Sequence, residues 1–598
     1  MYRIQALGML RQKLSEMGVS AVIIPTNDPH FGEYTQPHYK IREWLSGFNG
    51  SAGTLVVTEN SAALWTDSRY FIQAQAQLQG SNIRLMKLKM PGTPSIAEWI
   101  LSQYPDGGKV AIDAALFSYS EYLALQNELK PCSIELIEDI FSSIWSVRPA
   151  LAFNPIISLD TKYSGESAKS KFNRVVEALN VKEQRFVYVV SACDEVAWLC
   201  NIRGTDIEYN PVAQSYAVVT NSAVHLFVNL DSLDERVSAQ LTSEGIELHP
   251  YNSFTNILKQ IPSSVLRICS KGKITVRDYN ALNIAGAEFI EDPTLGGTIN
   301  YFKSIKNNWE KEGFRKAFLE DGKAWCKLLK YIDESISSAD SINEFMIGQK
   351  LIEFRSECQD YRGESFEPIV AFGKAGALPH YSATEESSQT IGRDNFLLMD
   401  TGAHYPYGTT DTTRTIPIGN LSPKQKKHYT LVLKGMVSLS MAKFPSGTRG
   451  SQLDILARGP LFSDGVMYFH GTGHGIGHYL CVHEGPQSIR MEENPVALAS
   501  GMVISNEPAV YIADEYGIRT ENVILVKECE YNSFNTFLDF ETLTLVPIDT
   551  SCVLPELLSQ QEIAWINEYN AKVCNTISPH LDTQTAQWLN NKYNVILK

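Results

Sequence analysis

Apolar residues come in short runs over the first part of the chain. Runs at 21–24, 54–57 and 62–65 are flanked by polar residues or glycine and predict buried strands. Residues 1–16 carry charge at helical spacing, and residues 69–78 and 95–103 also read as helices. Strands alternating with helices predict an α/β unit over residues 1–150 that leaves through Arg148-Pro149-Ala150. The alternation begins again at Leu151, with a helix at 169–179 and strands at 185–190, 216–219 and 225–228. This second α/β unit, 151–300, runs out near residues 296–298.

Beyond residue 300 the texture changes. Phe314, Ala317, Phe318, Trp325, Leu328, Leu329 and Ile332 recur every three or four positions for much of their span, which predicts one long amphipathic helix. Ser422-Pro423 is a helix start, with serine as the cap and proline at the first helical position, and the apolar pattern then runs toward Met441. Threonine- and valine-rich strand segments fall between and after these helices, so residues 301–598 predict an α+β unit with a C-terminal extension. No short fixed repeat interrupts this three-part division.

Composition narrows the function classes. At roughly 150 residues per domain, 598 residues exclude a single domain, and 44% hydrophobic with 20% charged residues is ordinary globular usage. The 52 basic and 67 acidic side chains leave a net charge of -15 with no long basic run, which argues against nucleic acid and anionic membrane surfaces as partners. Ten cysteines without a CxxC pair suit free thiols in a reducing compartment, so a cytoplasmic location is expected. The apolar run at 19–24 is too short for a signal core or a membrane span.

Candidate chemistry lies in the third unit. Phe396-Leu397-Leu398-Met399-Asp400 is an apolar strand ending in an acid, followed by Tyr405-Pro406 and by Gly408-Thr409-Thr410-Asp411-Thr412-Thr413-Arg414-Thr415. A hairpin tipped at Tyr405-Pro406 sets Asp400 directly opposite Asp411, with Cβ atoms about 5 Å apart. Facing carboxylates are destabilising unless a proton or cation lies between them, and this pair suits a hard divalent cation; two solvated turn aspartates are the alternative. The same reasoning sets Glu507 opposite Glu521 in a hairpin centred on Asp514, and Glu521 opens an apolar strand, an expensive place for an unpartnered carboxylate.

Between these hairpins lies His470-Gly471-Thr472-Gly473-His474-Gly475-Ile476-Gly477-His478, followed by His483. Glycine at every second position argues against a helix, and an extended strand would turn the histidines to one side and the glycines to the other. Four carboxylates with an imidazole exceed what one catalytic zinc needs and suit two divalent ions about 3.5 Å apart with a bridging hydroxide. Oxygen-rich donors favour Mn²⁺ or Mg²⁺, with Co²⁺ or Zn²⁺ as alternatives. GxSxG, HExxH and paired CxxC motifs are absent.

Together with His483-Glu484-Gly485-Pro486, Asn506-Glu507-Pro508 and Gly517-Ile518-Arg519-Thr520-Glu521-Asn522, these segments resemble the metal-dependent aminopeptidase P and prolidase family. Trp65-Thr66-Asp67-Ser68-Arg69-Tyr70-Phe71 and Asp194-Glu195-Val196-Ala197-Trp198-Leu199-Cys200-Asn201-Ile202-Arg203-Gly204 resemble the first two domains of its long, three-domain cytosolic members. The resemblance extends to Phe540-Glu541-Thr542-Leu543-Thr544-Leu545-Val546-Pro547 and so covers nearly the whole chain. It implies two N-terminal creatinase-like α/β domains followed by a C-terminal pita-bread catalytic domain.

The resemblance also implies roles. Asp400 would chelate one metal, Asp411 and Glu521 would bridge both, and His474 and Glu507 would complete the other, with Mn²⁺ as the expected ion. Glu507 would double as general base, and Arg519 would neutralise and position Asp400. His380, His470 and His483 would contact substrate, the last two at the scissile carbonyl and its oxyanion, and Arg69 would be a substrate-facing residue. His478, where relatives carry a small residue, would border the pocket or face solvent. The implied activity is release of the N-terminal residue from peptides with proline in second position, by a homodimer. A prolidase limited to Xaa-Pro dipeptides, a methionine aminopeptidase and a non-catalytic pita-bread scaffold are the competing readings.

Overall fold

Six strands, Ala21–Ile24 (β1), Thr54–Thr58 (β2), Ala62–Thr66 (β3), Arg84–Lys87 (β4), Lys109–Asp113 (β5) and Ser133–Ile137 (β6), form one sheet in the order β4-β3-β2-β1-β5-β6. The protein is described here from a computed structural model covering residues 2–181, 184–338 and 341–598. The short apolar runs of the sequence supply the central strands, and β1 and β3 are buried along their whole length. The predicted N-terminal helix is Tyr2–Glu16, Met1 lying outside the described residues. The helix Ile96–Gln103 begins where Ser95 and Glu98 form a reciprocal capping box.

A second sheet repeats the pattern. Phe186–Val190 (β7), Tyr216–Thr220 (β8), Val224–Val228 (β9), Ile246–Pro250 (β10), Leu266–Cys269 (β11) and Phe289–Glu291 (β12) are ordered β10-β9-β8-β7-β11-β12. Parallel and antiparallel pairs mix in both sheets, because hairpins join β2 to β3 and β8 to β9 while helical crossovers join the others. Both sheets belong to one unit, made of Met1–Leu159 with Glu166–Ile299.

The other unit comprises Asn300–Lys598 with Asp160–Gly165. The periodicity around Trp325 becomes a single helix, Asn308–Ser337, closed at its start by the Asn307–Glu310 capping box. The helix Pro423–Ser440 has Ser422 as its cap and Pro423 in the first turn, as the dipeptide predicts. A three-stranded sheet of Ile369–Phe372 (β13), Asn395–Thr401 (β14) and Thr412–Ile418 (β15) has β14 at its centre. A six-stranded sheet is ordered β16-β23-β22-β19-β17-β18, from Phe444–Pro445 (β16), Gly473–Gly475 (β17), Glu484–Ile489 (β18), Val503–Asn506 (β19), Asn522–Tyr531 (β22) and Thr536–Thr542 (β23). Two short ladders, His404–Tyr405 with Gly408–Thr409 and Ala509–Ile512 (β20) with Tyr516–Arg519 (β21), accompany them.

One hydrophobic cluster binds this unit, joining Leu397 and Met399 of β14 to Trp325, Val432 and Met436 on the two helices and to Ile566 and Val573 on the helix Gln560–Ile577 near the C-terminus. Every strand that carries a candidate acid is therefore backed by packed apolar side chains. Trp325 is fully buried there. Trp325→Ala is expected to destabilise this unit by about 3–5 kcal/mol, read as an earlier urea transition of the unit in the purified full chain.

Candidate metal centre

Strand ends deliver the acids. Asp400 sits one residue before the end of β14, Asp411 immediately precedes β15, Glu507 follows β19, and Glu521 stands between β21 and β22. The Glu507–Glu521 register is the predicted one: Asn506 pairs with Asn522 and Ala509 with Arg519, so the two glutamates face each other about a hairpin turned at Asp514, whose φ is +61°. The Asp400–Asp411 register differs from the prediction. Asp400 pairs with Thr413 and Tyr405 with Gly408, so the hairpin tip is Pro406-Tyr407, one residue beyond the expected place. Proline suits the first central position of a turn, where its φ is preset. The slip moves Asp411 two positions from the residue facing Asp400, to a diagonal place, and an even slip preserves the side of the sheet.

The histidine segment is extended only at Gly473–Gly475, and there the glycines are required. A Cβ on Gly473 would lie 2.0 Å from the Ser505 carbonyl oxygen, and one on Gly475 would lie 2.6 Å from that of Glu484. This close packing brings His474 onto the acids. Its Nε2 lies 3.5 Å from Asp411 Oδ2 and 3.4 Å from Glu507 Oε1. Its Nδ1 contacts the Gly475 carbonyl at 3.0 Å, and since a carbonyl only accepts, Nδ1–H is the donor, which leaves Nε2 as the nitrogen whose lone pair would face the acids once its proton gave way to a cation. Asp411, His474 and Glu521 offer ligand atoms within 4.8 Å of one another.

Charge crowding dominates this cavity. Asp400, Asp411 and Glu521 are 9%, 4% and 1% exposed. Burial, reinforced by the neighbouring carboxylates, raises Glu521 well above the ordinary glutamate range. Glu507 is pushed up to about 7 by burial, against the pull of His474 and Arg519. Burial opposes charge on His474, but its hydrogen bond to Asp411 and the field of Glu507 outweigh it and raise the imidazole to about 9.

One cation and one hydroxyl organise the anions. The Arg519 guanidinium is 3% exposed; it donates Nη2–H to Asp400 Oδ2, Nε–H to Thr413 Oγ1 at 3.1 Å and Nη1–H to the Tyr511 hydroxyl. The Thr413 hydroxyl passes its own proton to Glu521 Oε2 at 2.9 Å. Asp400 Oδ1 and Glu521 Oε1 are buried without a hydrogen-bond partner. Orphaned carboxylate oxygens beside an imidazole lone pair form a donor set that divalent cations fit, with both unsatisfied oxygens available as ligands.

The other expected residues distribute as follows. His470 lies at the rim, its Nδ1 on the Gly471 carbonyl at 2.7 Å and 3.8 Å from Glu507 Oε2, with Nε2 3.0 Å from the Tyr511 hydroxyl. Burial and the Arg519 charge push His470 down to about 3, with His380 adding to the same field. His483 meets the His474 ring edge to face, centroids 4.3 Å apart. His478 is 3% exposed and turns to the long helix, edge-on to Phe314 and 3.9 Å from Glu310 Oε1, so it does not face solvent. Arg69 belongs to the other unit, where it grips Asp67 through Nε and Nη2 at 2.9 and 2.8 Å.

Sequence reasoning missed Thr413, Ser505 and Tyr511. Thr413 becomes visible once the hairpin tip is placed at Pro406-Tyr407, because it then faces Asp400. Ser505 accepts from the His474 N–H at 3.0 Å and donates to Glu507 Oε1 at 3.2 Å, a bridge between strands with no local signal.

Comparison with known proteins gives a consistent picture. The family model for metallopeptidase family M24 matches residues 312–528 and that for its C-terminal region matches 536–596. Models for creatinase/prolidase N-terminal domains match 7–145 and 147–310. The chain is 37% identical over 604 residues to a protein named probable Xaa-Pro aminopeptidase P from Coprinopsis cinerea, covering 98% of this chain and 97% of that one. It is also 37% identical to Xaa-Pro aminopeptidase 1 of Dictyostelium discoideum, over 98% and 95% of the two chains. A solved X-prolyl aminopeptidase from Caenorhabditis elegans, described as a cytosolic enzyme with a di-nuclear active site, superposes with a TM-score of 0.94 at 32% identity over 100% of both chains.

Because Glu521 brings a fourth carboxyl group to a crowded buried cluster that resists its ionisation, Glu521→Gln is expected to leave the melting temperature of chelator-treated protein unchanged or raised. The stabilisation on adding Mn²⁺ should fall below half of the wild-type shift, measured by scanning calorimetry. An undiminished Mn²⁺ shift would remove Glu521 from the ligand set.

Proposed function

Because the chain belongs to metallopeptidase family M24, we propose that it is a metal-dependent aminopeptidase releasing the N-terminal residue from peptides whose second residue is proline. The observation carrying this reading is the buried Asp400–Asp411–His474–Glu507–Glu521 cluster with its orphaned oxygens, in a chain that aligns end to end with proteins named Xaa-Pro aminopeptidase. These five residues would hold two divalent cations. The oxygen-rich donor set favours Mn²⁺ over softer ions. When bound, the cation pair supplies Lewis acidity and a more acidic water.

The chain's own groups do the rest. Glu507 takes the proton of the attacking water and returns it to the departing proline nitrogen, both transfers within the reach of one carboxylate at that position. Ser505 holds its Oε1, and the Glu507 N–H donates to the Thr472 carbonyl at 2.8 Å, fixing the base against the strand. Arg519 keeps Asp400 ionised and oriented. His470 and His483 hold the scissile carbonyl and its developing oxyanion, with His470 exchanging its Gly471 contact for substrate. His380 is the further substrate contact that the resemblance implies, and Arg69, paired with Asp67, stands as a substrate-facing residue of its own unit or as an ordinary surface salt bridge. An Xaa-Pro bond offers no N–H, so a pocket that demands none at that position selects it.

The wider assignments accompany this reading. The protein works as a cytoplasmic homodimer of three-domain chains, divided at 1–150, 151–300 and 301–598. Ten free cysteines and the cytosolic description of the Caenorhabditis elegans enzyme support the location, and separate six-stranded sheets support the first two domains. Among the described residues no helix is long and apolar enough to cross a membrane.

The deciding assay compares a matched Xaa-Pro-Yaa tripeptide and Xaa-Pro dipeptide, with Mn²⁺ loaded and then chelated. Tripeptide cleavage that disappears on chelation is expected, whereas cleavage of the dipeptide alone would make the protein a prolidase and silence on both would overturn the Xaa-Pro reading in favour of a scaffold or another bond specificity. Glu507→Gln is expected to lower kcat on the tripeptide by about 10²–10⁴-fold, and near wild-type turnover in the metal-loaded variant would refute the base assignment.

A further inference from the structure

Far along the sequence from the acidic cluster, in the unit formed by Met1–Leu159 and Glu166–Ile299, a second convergence of ligand-type side chains stands at the edge of a sheet. Strand β10 is the edge strand and runs parallel to β9. The register pairs His225 with Glu247 and Phe227 with His249. Side chains two residues apart share a face, so His225, Glu247 and His249 all project from the same side of the two strands.

Their donor atoms meet at one point. His225 Nδ1 lies 3.1 Å from His249 Nε2 and 3.3 Å from Glu247 Oε2, and all three ligand atoms fall within 4.8 Å of one another. Donors bound at about 2.0–2.1 Å to one ion stand about 2.9–3.4 Å apart at right-angled to tetrahedral bond angles. The two measured separations fall in that interval, so an ion could be seated with little rearrangement.

The surroundings set the rings. His249 stacks on Phe227, whose ring is fully buried, with centroids 5.0 Å apart and planes 24° apart. Burial and the neighbouring His225 lower the pKa of His249, which favours the neutral form that binds metals. The His225 and Glu247 side chains are 27% and 60% exposed, leaving an open approach and room for water ligands.

We infer that His225, Glu247 and His249 form a third metal site, taking one borderline divalent transition-metal ion such as Zn²⁺ through two imidazoles and one carboxylate, with water in the remaining positions. Two nitrogens and a single carboxylate select Zn²⁺, Ni²⁺ or Cu²⁺ over Mg²⁺ and Ca²⁺, the reverse of the preference of the oxygen-rich cluster. The bound ion would clip the edge strand β10 to β9 through side chains, adding to the main-chain ladder.

The test uses the full-length protein with its acidic centre loaded with Mn²⁺. Wild type, His249→Ala, His225→Gln and the His225→Ala/His249→Ala double variant are dialysed against buffered micromolar free Zn²⁺, and bound metal is counted by mass spectrometry. Wild type is expected to carry one Zn²⁺ equivalent more than each variant. The same difference should persist in a Glu521→Gln background, where the acidic centre is impaired, and this separates the inference from the peptidase reading. Cu²⁺ loaded in place of Zn²⁺ should show electron paramagnetic coupling to two nitrogens in wild type that is lost in the double variant. Equal Zn²⁺ content in wild type and variants would overturn the site and leave the two imidazoles as a hydrogen-bonded pair.

Discussion

Four carboxylates held in one buried cavity are the constraint around which the Asn300–Lys598 unit is arranged. Like charges a few ångströms apart in a low-dielectric interior repel strongly, and one guanidinium cannot neutralise four anions. Arg519 reaches Asp400 directly and Glu521 only through the Thr413 hydroxyl, and two carboxylate oxygens remain with no partner. Raised carboxyl pKa values are the response of the cavity without cations. Divalent cations would be the response that also creates chemistry, and the same charge crowding would then favour binding them.

Holding such a cluster together falls to buried cations placed one layer out. Arg414, 3% exposed, donates to the carbonyl of Glu521, to Asn522 Oδ1, to the carbonyls of Val546 and Pro547 and to the Tyr569 hydroxyl. The backbone that carries Glu521 is thereby tied to the helix Gln560–Ile577, which makes the C-terminal extension part of the support of the site. Arg458 pairs with Asp454 and donates to the carbonyls of Tyr468 and His470, while Thr472 donates to Asp454. Lys303 and Lys306 both close on Glu484, next to His483. Each histidine-bearing stretch is therefore anchored by an ion pair that water cannot screen, and removing one partner would leave a buried charge unpaired.

Much of this was legible in the chain. The short apolar runs became β1, β2 and β3 nearly to the residue, and Ser422-Pro423 opened the Pro423–Ser440 helix, because burial period and capping chemistry act over a few neighbouring residues. The Glu507–Glu521 pairing was legible because one local hairpin sets its register. Asp400 and Asp411 were identified as neighbours, but their hairpin turns one residue later, since proline takes the first central position of the turn. The error changed which residue faces which and left the side of the sheet unchanged.

What the sequence determined by itself was the inventory and its local arrangement: acids at strand ends, glycines alternating with histidines, and the motifs that mark the family. Those follow from interactions between residues close in the chain. Only the tertiary structure decided that Thr413 relays Arg519 to Glu521, that Ser505 bridges His474 to Glu507, that His478 packs on the long helix, and that His225 meets His249 across two parallel strands. Several of these contacts join segments distant in the chain, 24 residues apart for His225 and His249 and 108 for Thr413 and Glu521, and the others come from a packing direction that no local pattern encodes. They exist because the strands and helices that present them are packed into the core of their own unit, and the geometry of that packing depends on segments distant in the chain.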